Sequence, residues 1–361
     1  MSRKYNILYT SSYSTMQGGG QRSMYLLIKH LDRSKYTPFL VMPEEGELTE
    51  EIRKLGVKIY AILLPRARSL NIIKIVAALL SLMICIRDSR IDLIHVDAPR
   101  ETLFAGIAGK LLGVPVVCHL RVSDSEIWLD KILYRLADCF IAVSHAVARR
   151  FSSIDNKGKV NVVYNGVELN TCSMRPVRSK SSCLRIGYFG RIDRGKGIDT
   201  LISSVKLLKE NVEILIMGGG DEAYISELRN MTEGINSIFK EYKPNIMNEI
   251  MSVDVVVLPS YAEGLSRVII ESMALGTVVV ASDIPENREA LGEQLSQFVF
   301  PVGSSDGLKK ILKGIIENKS ILDEKVDILR KCAGKYFDIR KNTRQVETLY
   351  DSLVAPGSSS L

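Results

Sequence analysis

The stretch DVVVLPSYAEGLSRVIIESMALGTVVVA, residues 254–281, holds a strand, a turn, a helix and a second strand in that order. DVVVL and TVVVA are unbroken β-branched and aliphatic runs, the pattern of strands buried on both faces. Between them LSRVIIESMAL repeats its apolar residues at helical spacing and stops at Gly276, a residue type on which helices commonly end. Pro259, Ser260 and Gly264 suit a tight turn at its start. A strand–helix–strand unit produces parallel neighbours, and a parallel sheet covered by helices belongs to the α/β class.

The same alternation extends in both directions. Towards the C-terminus and just upstream, LRIGYFG (184–190), VEILIMG (212–218), SIF (237–239) and FVF (298–300) read as strands with helices between them. Further upstream, YNILYT (5–10), TPFLVM (37–42), IDLIH (91–95), VPVVCH (114–119) and CFIAVS (139–144) alternate with helical patterns near 20–31, 70–87, 100–112, 126–137 and 145–152. Between Glu168 and Cys183 the apolar pattern lapses into Ser, Arg and Pro, which marks a linker. A chain of 361 residues exceeds one ordinary core. The expected organisation is therefore two doubly wound α/β domains. Residues 1–168 form the first, 169–183 the linker and 184–338 the second. Residues 339–361 are expected to give a helix that packs back on the first domain, then a flexible tail. Ligands of such sheets bind beyond the carboxyl ends of the strands, so a shared site is expected in the cleft between the domains.

Composition narrows the function classes. The chain is 46% hydrophobic and 25% charged, as an ordinary globular protein is. Its net charge of +7 favours polyanionic partners such as nucleotide phosphates or anionic lipid. No Lys/Arg run is interleaved with aromatics, so no nucleic-acid partner is expected. Cys85, Cys118, Cys139, Cys172, Cys183 and Cys332 form no CxxC pair and read as small core residues in a reducing compartment. The N-terminus lacks the regions of a signal peptide, and the longest apolar run, Ile75 to Ile86, is too short to span a bilayer. A cytoplasmic protein is expected. The oligomeric state is not legible.

Four segments carry chemistry-bearing residues. In PSYAEGLSRVIIESMALG, Glu263 and Glu271 are separated by seven residues. The amides of Leu265, Ser266 and Arg267 are expected at the helix N-terminus, where a phosphate is welcome. Glu271, about two turns inside, can accept hydrogen bonds from a ribose diol, and Glu263 in the loop can reach a sugar hydroxyl. Two glutamates at this spacing ordinarily describe solvated side chains; the strand–turn–helix setting singles these out. In YFGRIDRGKGIDTLISSV (188–205), Arg191 and Lys196 lie on a strand-to-helix loop and suit a diphosphate, although alone the segment also reads as a basic surface loop. In SSYSTMQGGGQRSMYLLIKHL (11–31), Gly18, Gly19 and Gly20 open a helix without forming GxGxxG, and a plain turn is an equal reading. In VPVVCHLRVSD, His119 ends a strand and can bond a sugar hydroxyl or handle a proton; a structural histidine is the alternative. His95 carries a weaker version of this signal. His30 and His145 read as helix residues without a special role. No DxD, HExxH, GxSxG or GxxxxGK[ST] occurs, so neither a metal nor a cofactor is expected.

Together these segments resemble glycosyltransferase family 4, the group 1 glycosyl transferases of GT-B fold. The stretch from Pro259 to Leu291 resembles the family's most characteristic segment almost throughout. GRIDRGKGIDTLI, LIMGGGDE and VYNGVE resemble three others in the expected order. The resemblance implies a retaining enzyme with a nucleotide-diphosphate-sugar donor, either UDP or GDP. Arg191 and Lys196 would bind the diphosphate, Glu271 the ribose and Glu263 the donor sugar. Amides of Gly264, Leu265 and Ser266 and the Gly19–Gly20 turn would lie around the phosphates, and His119 would face the donor sugar. Glu263, His119, Lys196 and Arg191 would then be the catalytic set. Arg267 departs from the small or aliphatic residue common there and leaves the shape around the phosphates open. Arg121 is a second departure and could read an acidic sugar or acceptor.

The acceptor implied is a glycan or lipid-linked molecule in cell-surface polysaccharide or lipopolysaccharide assembly. ARSLNIIKIVAALLSLMICIRDSR, flanked by Arg66, Arg68, Arg87 and Arg90, admits an interfacial helix on anionic membrane. A buried crossover helix with Lys74 snorkelling at its edge is the preferred expectation. Two other functions share the architecture: a sugar-nucleotide epimerase or phosphorylase, and a non-catalytic nucleotide-sugar-binding subunit.

Overall fold

A computed structural model describes residues 3–65, 71–123, 126–169 and 183–355. Contacts divide the chain into two compact units. Residues 1–166 with 339–361 form unit 1, and residues 167–338 form unit 2.

Unit 1 runs β1 (Tyr5–Thr10), α1 (Gly19–His30), β2 (Tyr36–Met42), α2 (Glu47–Lys54), β3 (Lys58–Ala61), α3 (Ile72–Asp88), β4 (Leu93–Val96), α4 (Pro99–Leu112), β5 (Val116–Leu120), α5 (Ile127–Leu136), β6 (Cys139–Ala142), α6 (His145–Ala148) and β7 (Val160–Val162). Its seven strands pair in parallel in the order β3-β2-β1-β4-β5-β6-β7. β4, β5 and β6 are buried at every position, which is why their sequences show no polar alternation.

Unit 2 runs β8 (Leu184–Phe189), α7 (Ile198–Leu208), β9 (Val212–Met217), α8 (Glu222–Met231), β10 (Asn236–Lys240), α9 (Met247–Met251), β11 (Val255–Leu258), α10 (Arg267–Leu275), β12 (Val278–Ser282), α11 (Pro285–Leu291), β13 (Val299–Phe300), α12 (Ser305–Glu317), α13 (Ser320–Glu324) and α14 (Val326–Tyr336). Its six parallel strands follow the order β10-β9-β8-β11-β12-β13. Both sheets are doubly wound, since the strand order reverses direction once in each. The reversal falls between β1 and β4 in unit 1 and between β8 and β11 in unit 2. Ligands of such sheets sit at that reversal, beyond the carboxyl ends.

The chain then re-enters unit 1 as α15 (Ile339–Val354), which packs on α1 and β4. Val346 and Tyr350 join the core of Met24, Leu27, Tyr36 and Leu40. Asn342 Nδ2 donates to the carbonyl of Tyr164 at 2.9 Å and fastens this return.

Several expectations need correction. α2 and β3 were not anticipated, because ELTEEIRK is too polar and KIYA too short to signal an element. α3 is a crossover helix as expected, but only one side of it is buried. Ala78, Leu82, Cys85 and Ile86 face inward, while Ile72, Ile73, Val76, Leu80 and Ile84 are exposed. A single sheet can cover only one side of a helix that is apolar all round. Arg66 and Arg68, most of the linker and the tail from residue 356 lie outside the described residues. So does Cys172; Cys85, Cys118 and Cys139 are buried free thiols. No described helix is long and apolar enough to cross a membrane.

Candidate active site

In unit 2 the loops that follow β8 and β11 lie side by side, because these strands are neighbours in the sheet. The amide of Tyr261 donates to the carbonyl of Gly195 at 3.0 Å and stitches the loops together. Gly197, with φ +62°, sits so close that a Cβ would lie 2.2 Å from the carbonyl oxygen of Pro259. Only glycine allows both the left-handed backbone and that approach. The buried Tyr188 donates its hydroxyl to the carbonyl of Arg191 at 2.6 Å and holds the start of the loop.

This arrangement brings Lys196 and Glu263 together across 67 residues. Lys196 Nζ donates to Glu263 Oε1 at 2.8 Å, and both side chains are largely buried. The pair stands at the strand-order reversal of unit 2. Arg191 stays exposed on the same loop, with its Nε on Asp193 at 2.7 Å.

α10 begins at Arg267, with Ser266 at its N-cap, so Glu271 lies about one turn inside rather than two. The turn before the helix spends more residues than its sequence indicates. Gly264, Leu265 and Ser266 are buried ahead of it. The first turn of any helix carries amides without an intrahelical acceptor and the positive end of the dipole. Arg267 has a defined place in this structure: Nη2 and Nε donate to Glu271 Oε1 at 2.7 and 3.1 Å. Both side chains are buried, an i,i+4 pair set into the helix's inner face. The carboxylate expected to hold a ribose is thus oriented by a cation on its own helix.

Unit 1 has a second cluster at its own reversal. α1 begins at Gly19, beyond β1, and a Cβ on Gly20 would lie 3.0 Å from Arg121 Cδ and 3.7 Å from Asp97 Oδ2. Arg121 Nε donates to Asp97 Oδ1 at 2.7 Å, and its Nη1 donates to Asn165 Oδ1 at 3.1 Å. Burial pushes the Asp97 carboxyl up to about 6, against the pull of Arg121. Ser12 donates to Glu101, which joins the loop after β1 to the start of α4.

Beneath this cluster lies a buried hydrogen-bonded chain. His119 Nδ1 meets His95 Nε2 at 3.1 Å, His95 Nδ1 meets the Tyr350 hydroxyl at 2.5 Å, and Tyr350 meets the Tyr9 hydroxyl at 3.1 Å. His95 and His119 are almost wholly buried. Burial lowers the His95 pKa to about 3 and drives that of His119 well below its usual value; the nearby Arg121 adds to both. Both rings are therefore neutral, with one N–H each. The chain carries its protons in one direction or the other. If Tyr350 donates to His95, then His119 Nε2 is an N–H donor; if Tyr350 donates to Tyr9, then Nε2 is an acceptor. Nε2 itself has no partner among the described residues. Sequence reading rated His95 below His119 and missed Tyr350, Tyr9, Asp97 and Glu101. The only sequence signal was that His95 and His119 each end an apolar strand.

Known proteins resemble the chain in both units. The profile described as "Glycosyltransferase Family 4" matches residues 17–171, and that described as "Glycosyl transferases group 1" matches residues 175–333. The chain is 24% identical over 357 residues to the N,N'-diacetylbacillosaminyl-diphospho-undecaprenol alpha-1,3-N-acetylgalactosaminyltransferase of Campylobacter jejuni, covering 90% of each chain. It is 22% identical to the UDP-Gal:alpha-D-GlcNAc-diphosphoundecaprenol alpha-1,3-galactosyltransferase of Escherichia coli, covering 93% of this chain and 94% of that one. The crystal structure of Anabaena HepE, in complex with UDP and glucose, superposes with a TM-score of 0.82 at 19% identity, over 96% of this chain and 99% of that chain. The fold is GT-B. The two profiles together span nearly the whole chain, and the protein belongs to glycosyltransferase family 4 as a glycosyl-transferring enzyme.

Proposed function

We propose that the enzyme is a retaining, metal-independent hexosyltransferase. It moves a sugar from a UDP-sugar to a saccharide on a polyprenyl diphosphate, in the assembly of a cell-surface polysaccharide or lipopolysaccharide. The observation that carries the donor half is the Lys196–Glu263 pair at the strand-order reversal of unit 2. The acceptor half is supported by the relatives, two of which are named for undecaprenyl-diphosphate-linked acceptors. The choice of UDP is supported by the galactosyltransferase named for UDP-Gal and by the ligand of HepE.

In this reading Lys196 and Arg191 take the donor diphosphate, and the first-turn amides of α10 with Gly264, Leu265 and Ser266 lie against it. Glu271, oriented by Arg267, accepts from the ribose hydroxyls. Glu263 accepts from a hydroxyl of the donor sugar. Within unit 1, the Gly19–Gly20 turn and His119 Nε2 are groups suited to a phosphate and a sugar hydroxyl. The bond between the anomeric carbon and the diphosphate oxygen breaks while the acceptor hydroxyl attacks on the same face. The hydroxyl proton passes to the departing phosphate oxygen, so no protein base is consumed. Lys196 and Arg191 stabilise the negative charge that grows on the leaving group, work that elsewhere falls to a metal.

Incubation with UDP-sugars and a polyprenyl-diphosphate saccharide tests this reading. Expected are free UDP only when acceptor is present, a product with the donor's anomeric configuration by NMR, and unchanged turnover in EDTA. UDP-sugar conversion without acceptor would favour the epimerase reading. An inverted product or metal-reversible loss in EDTA would overturn the mechanism.

A further inference from the structure

α3, α4 and α5 lie side by side on one face of the unit 1 sheet, α3 against α4 and α4 against α5. Their outer sides expose many apolar residues. On α3, Ile72, Val76, Leu80 and Ile84 recur at four-residue spacing, each about 40° round the helix from the last. They form one stripe, with Ile73 beside it at 82% exposure. α4 adds the exposed Ile107 and Leu111, and α5 adds Ile132 and Trp128. Trp128 is the chain's single tryptophan and is 63% exposed. Scattered exposed apolar residues need no explanation, but a set of them on three neighbouring helices does.

The charges around this field identify what covers it. Lys74, Arg87, Lys131 and Arg135 are exposed on the same helices, and Arg87 stands on the line of the α3 stripe. The exposed acids among the described residues of these helices and their N-caps are Asp88 and Glu126. Lys110 is balanced by Asp138 at 2.9 Å. A second copy of this chain would bring the same cationic rim against itself, because a two-fold contact joins a patch to its own image. An acidic headgroup layer over acyl chains complements both the rim and the field. Tryptophan at such a boundary places its ring at headgroup depth.

We propose that the α3–α4–α5 face of unit 1 docks on an anionic membrane leaflet, with the α3 stripe and Trp128 at the headgroup boundary. The proposal deepens the reading above by giving a polyprenyl-linked acceptor the surface on which it is met, and in that purpose it rests on that reading. The face lies flat on the bilayer as an interfacial surface and does not span it.

Co-sedimentation of the full chain with vesicles tests it. Vesicles of phosphatidylglycerol and phosphatidylethanolamine are compared with vesicles of phosphatidylcholine. Binding is expected to be at least about tenfold tighter to the anionic vesicles and to weaken with salt, since each basic residue at the surface changes partition roughly fivefold. Lys74→Glu with Arg87→Glu should remove that preference. Ile73→Asp with Leu80→Asp, or Trp128→Ala, should release the protein from both vesicle types. These side chains are exposed, so the melting temperature and transfer to a short-chain, water-soluble acceptor should hold, while transfer to a long-chain acceptor in vesicles falls. Equal vesicle binding by wild type and the Asp variant would overturn the proposal. So would a dimer in sedimentation velocity that the Asp variant dissolves while wild type ignores vesicles. Vesicle binding without transfer to any polyprenyl-diphosphate acceptor would uphold this surface and refute the acceptor reading.

Discussion

The strand-order reversals of the two units are built on one plan and filled with different chemistry. In unit 2 the reversal holds cations and carboxylates in close pairs, Lys196 with Glu263 and Arg267 with Glu271. In unit 1 it holds Asp97 and Arg121 above two neutral histidines and two tyrosines. Charge that is already paired and oriented, as in unit 2, needs little reorganisation to receive an anion. In unit 1 the hydrogen-bonding sense of His119 Nε2 is set by the chain beneath it. One fold thus supports two recognition chemistries, and each can be broken separately.

The largest effect is expected from Lys196→Ala. Loss of the cation facing the leaving diphosphate should lower kcat by about a hundred- to a thousandfold, read in a steady-state assay with saturating acceptor. A kcat within a few-fold of wild type would show that Arg191 or the helix N-terminus carries the charge instead.

Next in size is Glu271→Leu, which removes the carboxylate paired with the buried Arg267. Breaking a buried pair from one side costs about 3–5 kcal/mol, whereas replacing both partners with apolar residues is often neutral. The double variant Arg267→Leu with Glu271→Leu should therefore recover the unfolding midpoint but not the donor KM, which should stay about tenfold raised or more. Recovery of both would show that Glu271 serves packing alone.

In unit 1 the sharpest change is Tyr350→Phe. It frees the proton direction at His95 and so the hydrogen-bonding sense of His119 Nε2. A kcat loss of about tenfold is expected, with a stability cost of about 1 kcal/mol from the lost hydrogen bond. Because the residue sits 231 positions from His119, an unchanged kcat with only the stability cost would reduce it to a core residue.

The most gradual effect, spread over several pH units, is on stability against pH. The folded pKa values of His95 and His119 are depressed, so below about 6.5 the unfolded chain binds protons that the folded chain does not. Each histidine then lowers stability by about 1.4 kcal/mol per pH unit as pH falls. Asp97, raised to about 6, acts in the opposite sense between about 4 and 6. The net expectation over that window is a loss of one histidine's slope on acidification. His95→Gln should flatten it in urea titrations, and an unaltered slope would mean the rings are protonated in the folded state.

The contrast between the units also explains what could be read from sequence. The candidate residues of unit 2 lie on two short loops and on the helix that follows one of them, between strands and helices with clear apolar patterns, so Lys196, Glu263 and Glu271 can be singled out from sequence. The histidine chain joins residues from β1, β4, β5 and α15 across most of the chain, and no local pattern links Tyr9 to Tyr350. Burial of α3 was misjudged for a different reason: IVAALLSLMICI is apolar on every side, so periodicity cannot tell its covered face from its open one. Arg267 reads as a departure because a small or aliphatic residue is common there in the family, and only the structure shows its pairing with Glu271.

The central claim is that unit 2 binds the donor through its nucleotide diphosphate, and calorimetry with UDP tests it most directly. Wild type should bind in one-to-one stoichiometry with EDTA present. Lys196→Ala and the Arg267→Leu, Glu271→Leu double variant should each weaken binding by about tenfold or more, while Tyr350→Phe should not. Wild-type UDP affinity in both unit 2 variants would contradict the assignment of this site.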